Sequence, residues 1–223
     1  MKSKIFFLSI IIVFILTMIP ATVINADPAI SGTSLNLYKG AGVLSDSYVK
    51  FGQYNGSDII WRVLRQDDGT KGVLLISEEI ITTRRFDLPY NYWESSELRT
   101  WLNGNFYNGI GEDNKYIKRT EISTANNIGE SEITNDYIFI PDHPLLTSSP
   151  FNSTIFSDTK RIAVYSSNPY IYWTRSKFFD MLYYVSSING SCNLARGKSE
   201  TETGVRPLLY LKPNIYFSGT GTI

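Results

Sequence analysis

Residues 48–64 read YVKFGQYNGSDIIWRVL, and this stretch decides the type of fold. Apolar and polar residues alternate over its first half, as they do in a strand with one buried face. The pair Asn55-Gly56 then marks a turn, and the apolar run 59–64 follows, so the stretch predicts a β-hairpin. After a second turn signal at 67–69, the apolar segment 72–77 predicts a third strand, which extends the hairpin into a meander.

A helix is predicted after this meander. Its apolar positions follow the spacing of one buried face, namely Leu98, Trp101, Leu102 and Phe106. Asn91, with Glu94 three residues later, predicts its start as a variant of the capping box. The pair Asn103-Gly104 predicts its end, because both residues tolerate the left-handed conformation that closes a helix. A shorter second helix is predicted over 112–118.

The later part of the chain predicts strands separated by long loops. Residues 119–160 are rich in Ser, Thr and Asn, with one apolar island at 137–140, so we predict a single strand between two long loops. Loops of that length are uncommon in a compact domain and are often functional. The sequence returns to strands in three further runs, at 170–175, 181–188 and 205–211, with a turn at Asn189-Gly190.

The N-terminus has the three zones of a secretory signal peptide. Lys2 and Lys4 give a positive start, the run 5–19 is apolar throughout, and Ala26 supplies a small residue at the end of the segment. We therefore predict cleavage after Ala26 and a secreted or cell-surface location. The alternative is an uncleaved membrane anchor, since the segment is uncharged beyond its lysines and a span needs about 20 apolar residues. Pro20 interrupts the run and favours cleavage.

Length and composition fit one domain behind that segment. We expect a signal peptide at 1–26, a polar lead-in at 27–47 and a single domain at 48–223. Cys192 is the one cysteine, so the fold is expected to depend on its core and not on an internal disulfide. The formal net charge is zero and no basic patch is visible in the sequence, so we predict no nucleic-acid partner.

Several strings occur in a distinctive order along the chain: KFGQY at 50–54, WRVL at 61–64, WESSELRTWLN at 93–103, WTRS at 173–176 and GVRP at 204–207. This series resembles a family of uncharacterised domains in secreted and surface proteins of Gram-positive bacteria, over about 48–211. That family is similar, at a distance, to C-type-lectin-like domains and to the formylglycine-generating-enzyme group. The resemblance implies an α+β, C-type-lectin-like fold with two helices, small and mostly antiparallel sheets and long loops. It implies no known activity.

The sequence predicts no catalytic residue, no metal ligand and no cofactor. His143 is the one histidine, and nothing in the sequence places it beside Cys192 as a thiol enzyme would require. The copper site of the formylglycine-generating group uses two cysteines, and this chain has one. Calcium-dependent lectins bind sugar through Glu-Pro-Asn or Gln-Pro-Asp and Trp-Asn-Asp strings. The nearest string here, Ser167-Asn168-Pro169, lacks the acid.

A binding role is what these exclusions leave. The candidate ligand-binding residues lie between 173 and 196, where aromatic and polar groups are mixed near turns: Trp173, Arg175, Asp180, Tyr183, Tyr184, Asn189 and Asn193. Tyr and Asn give adaptable contacts at low entropic cost. The alternative for the two tyrosines is simple alternation across a strand, one inward and one outward. A second set is predicted to anchor the fold: Trp61, Trp93, Trp101, Arg99 and Arg206.

We therefore predict an exported, non-catalytic module that binds an extracellular glycan, peptide or protein without a metal. Contact with a membrane is expected only through an uncleaved signal segment. Two other function classes stay open at this point. One is a structural module of a cell-envelope assembly, and the other is a hydrolase whose paired acids face each other across a cleft.

Overall fold

A computed structural model describes residues 48–65, 67, 69–125, 131–147, 158–213 and 215. The predicted signal peptide and polar lead-in lie outside the described residues. The predicted first hairpin is confirmed: β1 (Tyr48–Tyr54) pairs antiparallel with β2 (Ser57–Arg65). Asn55 and Gly56 both have positive φ, 50° and 77°, as the tight turn between the strands requires. The third strand, β3 (Leu74–Ser77), pairs with β2 and completes the predicted meander.

This meander belongs to a six-stranded sheet that recruits strands from the middle and the end of the chain. Its order is β1-β2-β3-β15-β5, and β8 also pairs with β15. All of these pairings are antiparallel. The added strands are β5 (Ile117–Lys118), β8 (Ile138–Phe139) and β15 (Leu208–Leu211).

A second sheet has five strands in the order β13-β12-β11-β14-β4. The pair β11 and β14 is parallel, and the other pairs are antiparallel. Its strands are β4 (Thr82–Arg84), β11 (Tyr172–Lys177), β12 (Tyr184–Ile188), β13 (Leu194–Lys198) and β14 (Thr203–Val205). The predicted strands at 170–175 and 181–188 correspond to β11 and β12. The predicted strand at 205–211 is divided, since its first residue ends β14 and its last four form β15 of the other sheet, and the edge strand β13 was not predicted.

Two hairpins complete the strands, and one of them corrects the sequence analysis. Where we predicted loops around a single strand, β6 (Thr120–Ala125) pairs with β7 (Ser131–Asp136). The buried face of this hairpin carries Ile122 together with the polar residues Thr124, Thr134 and Asp136, so most of its buried positions are not marked by apolar residues. The second hairpin joins β9 (Ala163–Tyr165) and β10 (Asn168–Tyr170).

The main helix also differs from the prediction at both ends. It runs from α1 (Glu97–Trp101) through a π-helical turn (Leu102–Phe106) into α2 (Tyr107–Gly109). Its N-cap is Ser96, whose Oγ accepts the N–H of Arg99 at 3.1 Å, so the predicted start at Asn91 is wrong. The predicted end at Asn103-Gly104 is wrong as well, because both residues lie inside the π-helical turn.

Asn103 explains why the helix does not stop there. Its Nδ2 donates to Arg99 O at 3.1 Å and to Ile138 O at 2.9 Å, and its Oδ1 accepts the N–H of Tyr137 at 2.7 Å. The amide therefore ties the helix to β8 instead of closing it. The predicted second helix is a 3₁₀ helix (Gly111–Tyr116) followed by β5, and two short helices follow, α3 (His143–Thr147) and α4 (Asp158–Arg161).

Aromatic side chains fill the core. Trp61 is fully buried and its Nε1 donates to Phe51 O at 2.8 Å, while the buried Trp93 donates to Asp136 Oδ2 at 3.0 Å. Phe86 contacts both Trp93 and Trp173, with ring centroids 6.1 and 6.0 Å apart. The chain is thus mostly β, with antiparallel sheets and few short helices around one aromatic core.

Candidate ligand-binding surface

Two of the predicted ligand-binding residues lie in the interior. Trp173 has no exposed area, and its Nε1 donates to Arg84 O at 2.9 Å. Arg175 is 5% exposed and forms an ion pair with Asp142, with 2.8 Å between Nη2 and Oδ2. Its Nη1 also donates to Ile140 O at 2.5 Å. The strand β11 places both side chains inward, so neither is presented to a ligand at the surface.

The other five predicted residues lie near the two ends of β12. Asp180, Tyr183 and Tyr184 stand in the loop before the strand or at its start, and Tyr183 is 51% exposed. Asn189 and Asn193 lie in the turn after it, where Asn189 Oδ1 accepts the N–H of Asn193 at 2.9 Å. Five residues of extended chain separate the two groups by about 16 Å. The structure therefore does not bring these five residues into one site.

Tyr183 instead joins a surface that the sequence analysis missed. Seven large apolar side chains, Tyr183 among them, are exposed in two loops, and we call this set the aromatic surface: Leu88, Tyr90, Tyr92, Phe179, Met181, Leu182 and Tyr183. The rings of Tyr90 and Tyr183 stack with centroids 6.1 Å apart and an interplanar angle of 19°. Tyr92 also contacts Tyr90, with ring centroids 6.4 Å apart and an interplanar angle of 60°.

The two loops that carry the aromatic surface are fastened to each other. Asn91 is buried, and its Nδ2 donates to Met181 O at 2.7 Å and to Tyr184 O at 2.8 Å. Ser199, after β13, donates from Oγ to Pro89 O at 2.6 Å. These bonds use backbone carbonyls, so the exposed rings are held in place without using their own polar groups. Asn91, which the sequence analysis assigned to a helix cap, joins the loops instead.

An ion pair supports the edge of the surface at Tyr92. Lys177 Nζ lies 3.8 Å from the centre of the Tyr92 ring and 3.1 Å from Glu132 Oε1. Both charged side chains are 13% exposed, and the other oxygen of Glu132 accepts the N–H of Glu94 at 3.1 Å. Lys177 therefore supports the Tyr92 ring, and Glu132 of β7 in turn holds Lys177 in place.

A shallow cleft adjoins the surface. It has a volume of ≈ 420 Å³ and its lining includes Pro89, Tyr183, Tyr184 and Lys198. A second cleft of ≈ 330 Å³ is lined by the Arg175 and Asp142 pair and by Tyr210. Of these two clefts, the first is the one whose lining includes a residue of the aromatic surface, Tyr183.

Burial shifts the pKa values of two potentially reactive side chains, Cys192 and His143. Burial raises the pKa of the Cys192 thiol, although Arg161 and Arg206 act in the opposite direction, so the nucleophilic thiolate is scarce at neutral pH. Burial lowers the pKa of His143. In the part of the chain that the structure describes, no group of three or more His, Cys, Asp or Glu side chains is placed to hold a metal ion. No helix within the described ranges is long and apolar enough to cross a membrane.

The remaining predicted anchors are placed as follows. Arg206 is fully buried, and Arg99 binds the buried carboxylate of Asp136 with 2.7 Å between Nε and Oδ1. Trp101 is half-buried, stacked on Phe106 at 5.2 Å.

The fold and the surface together define a mostly β domain with two cross-linked loops that expose aromatic side chains. The chain belongs to a family defined by a domain of unknown function, DUF6273, whose profile matches residues 71–213. That match runs from just before β3 to the end of β15 and includes both loops of the aromatic surface. No curated protein and no solved structure matches the chain significantly.

Proposed function

We propose that this chain is an exported, non-catalytic binding module that uses the aromatic surface to bind a glycan, peptide or protein without a metal. The observation that carries the proposal is the exposure of seven large apolar side chains from two loops that are tied together. Contiguous apolar patches on the surface of a monomer mark interaction sites, because exposing them to water is otherwise unfavourable.

The composition and rigidity of the surface support binding. Tyrosine offers a large, stiff contact area with a hydroxyl at its edge, and it is enriched among residues that dominate binding energy. Tyr90 and Tyr183 present such rings side by side. Because Asn91 fixes the loops before any ligand arrives, less conformational entropy is lost on binding.

The sequence motifs support a location and a finer fold for this module. The N-terminal pattern that ends at Ala26 supports export and then secretion or cell-surface display. The ordered motifs support an origin in a Gram-positive bacterium and a distant relationship to C-type-lectin-like domains. Mostly antiparallel sheets with few helices are compatible with that relationship.

A glycan and cell-wall-fragment array tests the proposal directly. The purified protein is applied with calcium and then with chelator, beside Tyr183→Ser and the control Ile133→Ser. Ile133 is 59% exposed on β7 and is not part of the aromatic surface, so its variant removes exposed apolar area elsewhere. We expect binding that survives the chelator, is weakened by Tyr183→Ser and is unchanged in Ile133→Ser. Binding that disappears with chelator would contradict the metal-free claim, and equal binding by both variants would remove the aromatic surface as the binding face.

A further inference from the structure

The five-stranded sheet ends at β13, and this edge is open. Among the described residues, β13 pairs with β12 and with no other strand. An edge strand presents a row of backbone N–H and C=O groups that can pair with a further strand. Such an edge is a ready site for an extended peptide, which gains main-chain hydrogen bonds by adding to the sheet.

The direction of the backbone groups follows from the ends of the β12–β13 ladder. Ser199 N–H donates to Tyr183 O at 2.9 Å, and Asn189 N–H donates to Asn193 O at 3.0 Å. Hydrogen-bonded pairs alternate with non-bonded pairs along an antiparallel ladder, so every second residue between these ends also bonds to β12. The backbone groups of the intervening residues point away from the sheet, and these residues are Leu194, Arg196 and Lys198.

Most of these outward groups have no partner in the part of the chain that is described. The exception is Lys198 O, which accepts the N–H of Thr201 at 2.9 Å. Three N–H groups and two carbonyls therefore remain for an added strand. The side chains of the same three residues are exposed. A strand laid against β13 would thus meet Leu194, Arg196 and Lys198 both through the backbone and through their side chains.

The positive charges of Arg196 and Lys198 on β13 favour an acidic partner strand. A second copy pairing antiparallel about Arg196 would place Arg196 opposite Arg196, and like charges directly opposite destabilise a strand pair. A strand with carboxylates at alternate positions would instead face Arg196 and Lys198 with opposite charge. Glu200 is 3.7 Å from Lys198 Nζ, but both side chains are more than half exposed, so this ion pair competes weakly.

The edge is also continuous with the aromatic surface. The Arg196 guanidinium lies over the rings of Phe178 and Tyr184, 5.4 and 5.2 Å from their centres. Its Nη1 is 3.6 Å from the Met181 sulfur, and Met181 belongs to the aromatic surface. One end of a peptide strand on β13 therefore lies next to exposed apolar side chains, and these can contact apolar side chains of the peptide.

We propose that β13 recruits an extended, acidic segment of a partner polypeptide, which adds to the sheet as a strand opposite Arg196 and Lys198. This proposal names a class of partner for the binding module, and it therefore rests on the proposed function. It assigns a peptide backbone, not a sugar, as the group that the edge recognises.

The test uses the intact protein and a defined peptide pair. The probe is an acetylated and amidated peptide with the sequence Thr-Val-Glu-Val-Glu-Val-Thr, and its counterpart has Lys in place of each Glu. In an NMR titration to millimolar peptide, we expect saturable binding of the acidic peptide and slowed exchange of the amide protons of Leu194, Arg196 and Lys198. The lysine peptide is expected to bind about tenfold more weakly or not at all. No binding by the acidic peptide, or equal binding by both, would overturn the proposal.

Two variants separate the backbone from the charge. Arg196→Pro removes an outward N–H that the fold does not use and adds a ring on the open side, which edge strands tolerate. Arg196→Thr loses the same charge but keeps the N–H. We expect the proline variant to bind the acidic peptide about tenfold more weakly than the threonine variant, with the same melting temperature. Equal affinity of the two variants would contradict strand addition.

A third variant, Tyr183→Ser, keeps this test distinct from that of the proposed function. Peptide binding that responds to Arg196→Pro but not to Tyr183→Ser would support the edge and would show that the aromatic surface takes no part in binding this peptide, while the array would still test the aromatic surface. Binding that responds only to Tyr183→Ser would refute the edge and keep the aromatic surface.

Discussion

Arg206 offers the sharpest test of how the fold is held together. Its guanidinium is fully buried and donates to four backbone carbonyls. Nε binds Ser77 O at 2.9 Å, Nη2 binds Glu78 O at 3.1 Å, and Nη1 lies 3.2 Å from both Lys160 O and Arg161 O. One side chain thus joins the end of β3, the helix α4 and the turn between β14 and β15. We predict that Arg206→Met destabilises the protein severely.

The magnitude follows from the bonds that are lost. Methionine keeps much of the apolar stem but removes this donor from all four carbonyls. Arg161 O still accepts the Tyr172 hydroxyl at 2.9 Å, so the loss is counted for the other three. A buried acceptor left unsatisfied costs about 1–3 kcal/mol, and at the lower value three carbonyls give a loss of about 3 kcal/mol in the free energy of unfolding. A typical domain has only about 5–15 kcal/mol in total, so the variant is expected near the limit of folding.

Equilibrium unfolding in urea, followed by tryptophan fluorescence, measures this loss. The control is Arg119→Met, because Arg119 is exposed and its substitution is expected to change stability by less than about 0.5 kcal/mol. A loss below about 1 kcal/mol for Arg206→Met, with an unchanged denaturant slope, would refute the role assigned to this side chain.

Three further predictions concern the interior. A Cβ at Gly197 would lie 2.6 Å from the buried Trp173 ring, so Gly197→Ala is expected to cost about 1–3 kcal/mol and to shift the tryptophan emission, whereas unchanged emission and stability would contradict this packing. Asp142→Ala leaves the buried Arg175 without its ion-pair partner and is expected to cost about 3–5 kcal/mol in urea unfolding. A cost under about 1 kcal/mol would show that the arginine is satisfied without it. Burial lowers the pKa of His143 below its usual 6.5, so the unfolded chain takes up that proton first and stability falls as the pH drops below about 6.5. His143→Gln should remove this part of the pH profile, and an unchanged profile would contradict the assignment.

The first hairpin was predictable because its signals are local. Asn55 and Gly56 adopt the positive φ values that their residue types allow, and the strands on either side alternate around that turn. The run 59–64 is buried on both faces in large part, which is why it reads as continuously apolar. The structure of such a segment follows from its own residues, so it can be predicted without knowing its tertiary contacts.

Other elements depend on partners that the sequence does not reveal. The hairpin β6–β7 buries Thr134 and Asp136, which bond to each other at 2.7 Å, so polar residues occupy core positions. The helix begins at Ser96, whose Oγ accepts the N–H of Arg99, and Asn91 bonds instead to Met181 O and Tyr184 O, about ninety residues away in the chain. Local capping rules cannot anticipate a side chain that is used in a tertiary contact.

The aromatic surface was predictable only in part, for the same reason. Tyr183 could be chosen from its aromatic and polar neighbours along the sequence. Its stacking partner Tyr90 could not, because the two come from separate loops that meet only in the fold. Trp173 and Arg175 resemble ligand-binding residues in type, but β11 is a central strand covered on both faces, which places them inside.

The most direct test of the proposed binding function measures how tightly the best ligand from the array binds to matched variants. Titration calorimetry compares the unaltered protein with Tyr90→Ser/Tyr183→Ser and with Ile133→Ser, all checked for equal melting temperature. If the aromatic surface is the binding face, the double variant loses at least about tenfold in affinity, while Ile133→Ser retains the original value. Equal affinity in all three proteins would contradict the claim that the aromatic surface is the binding face.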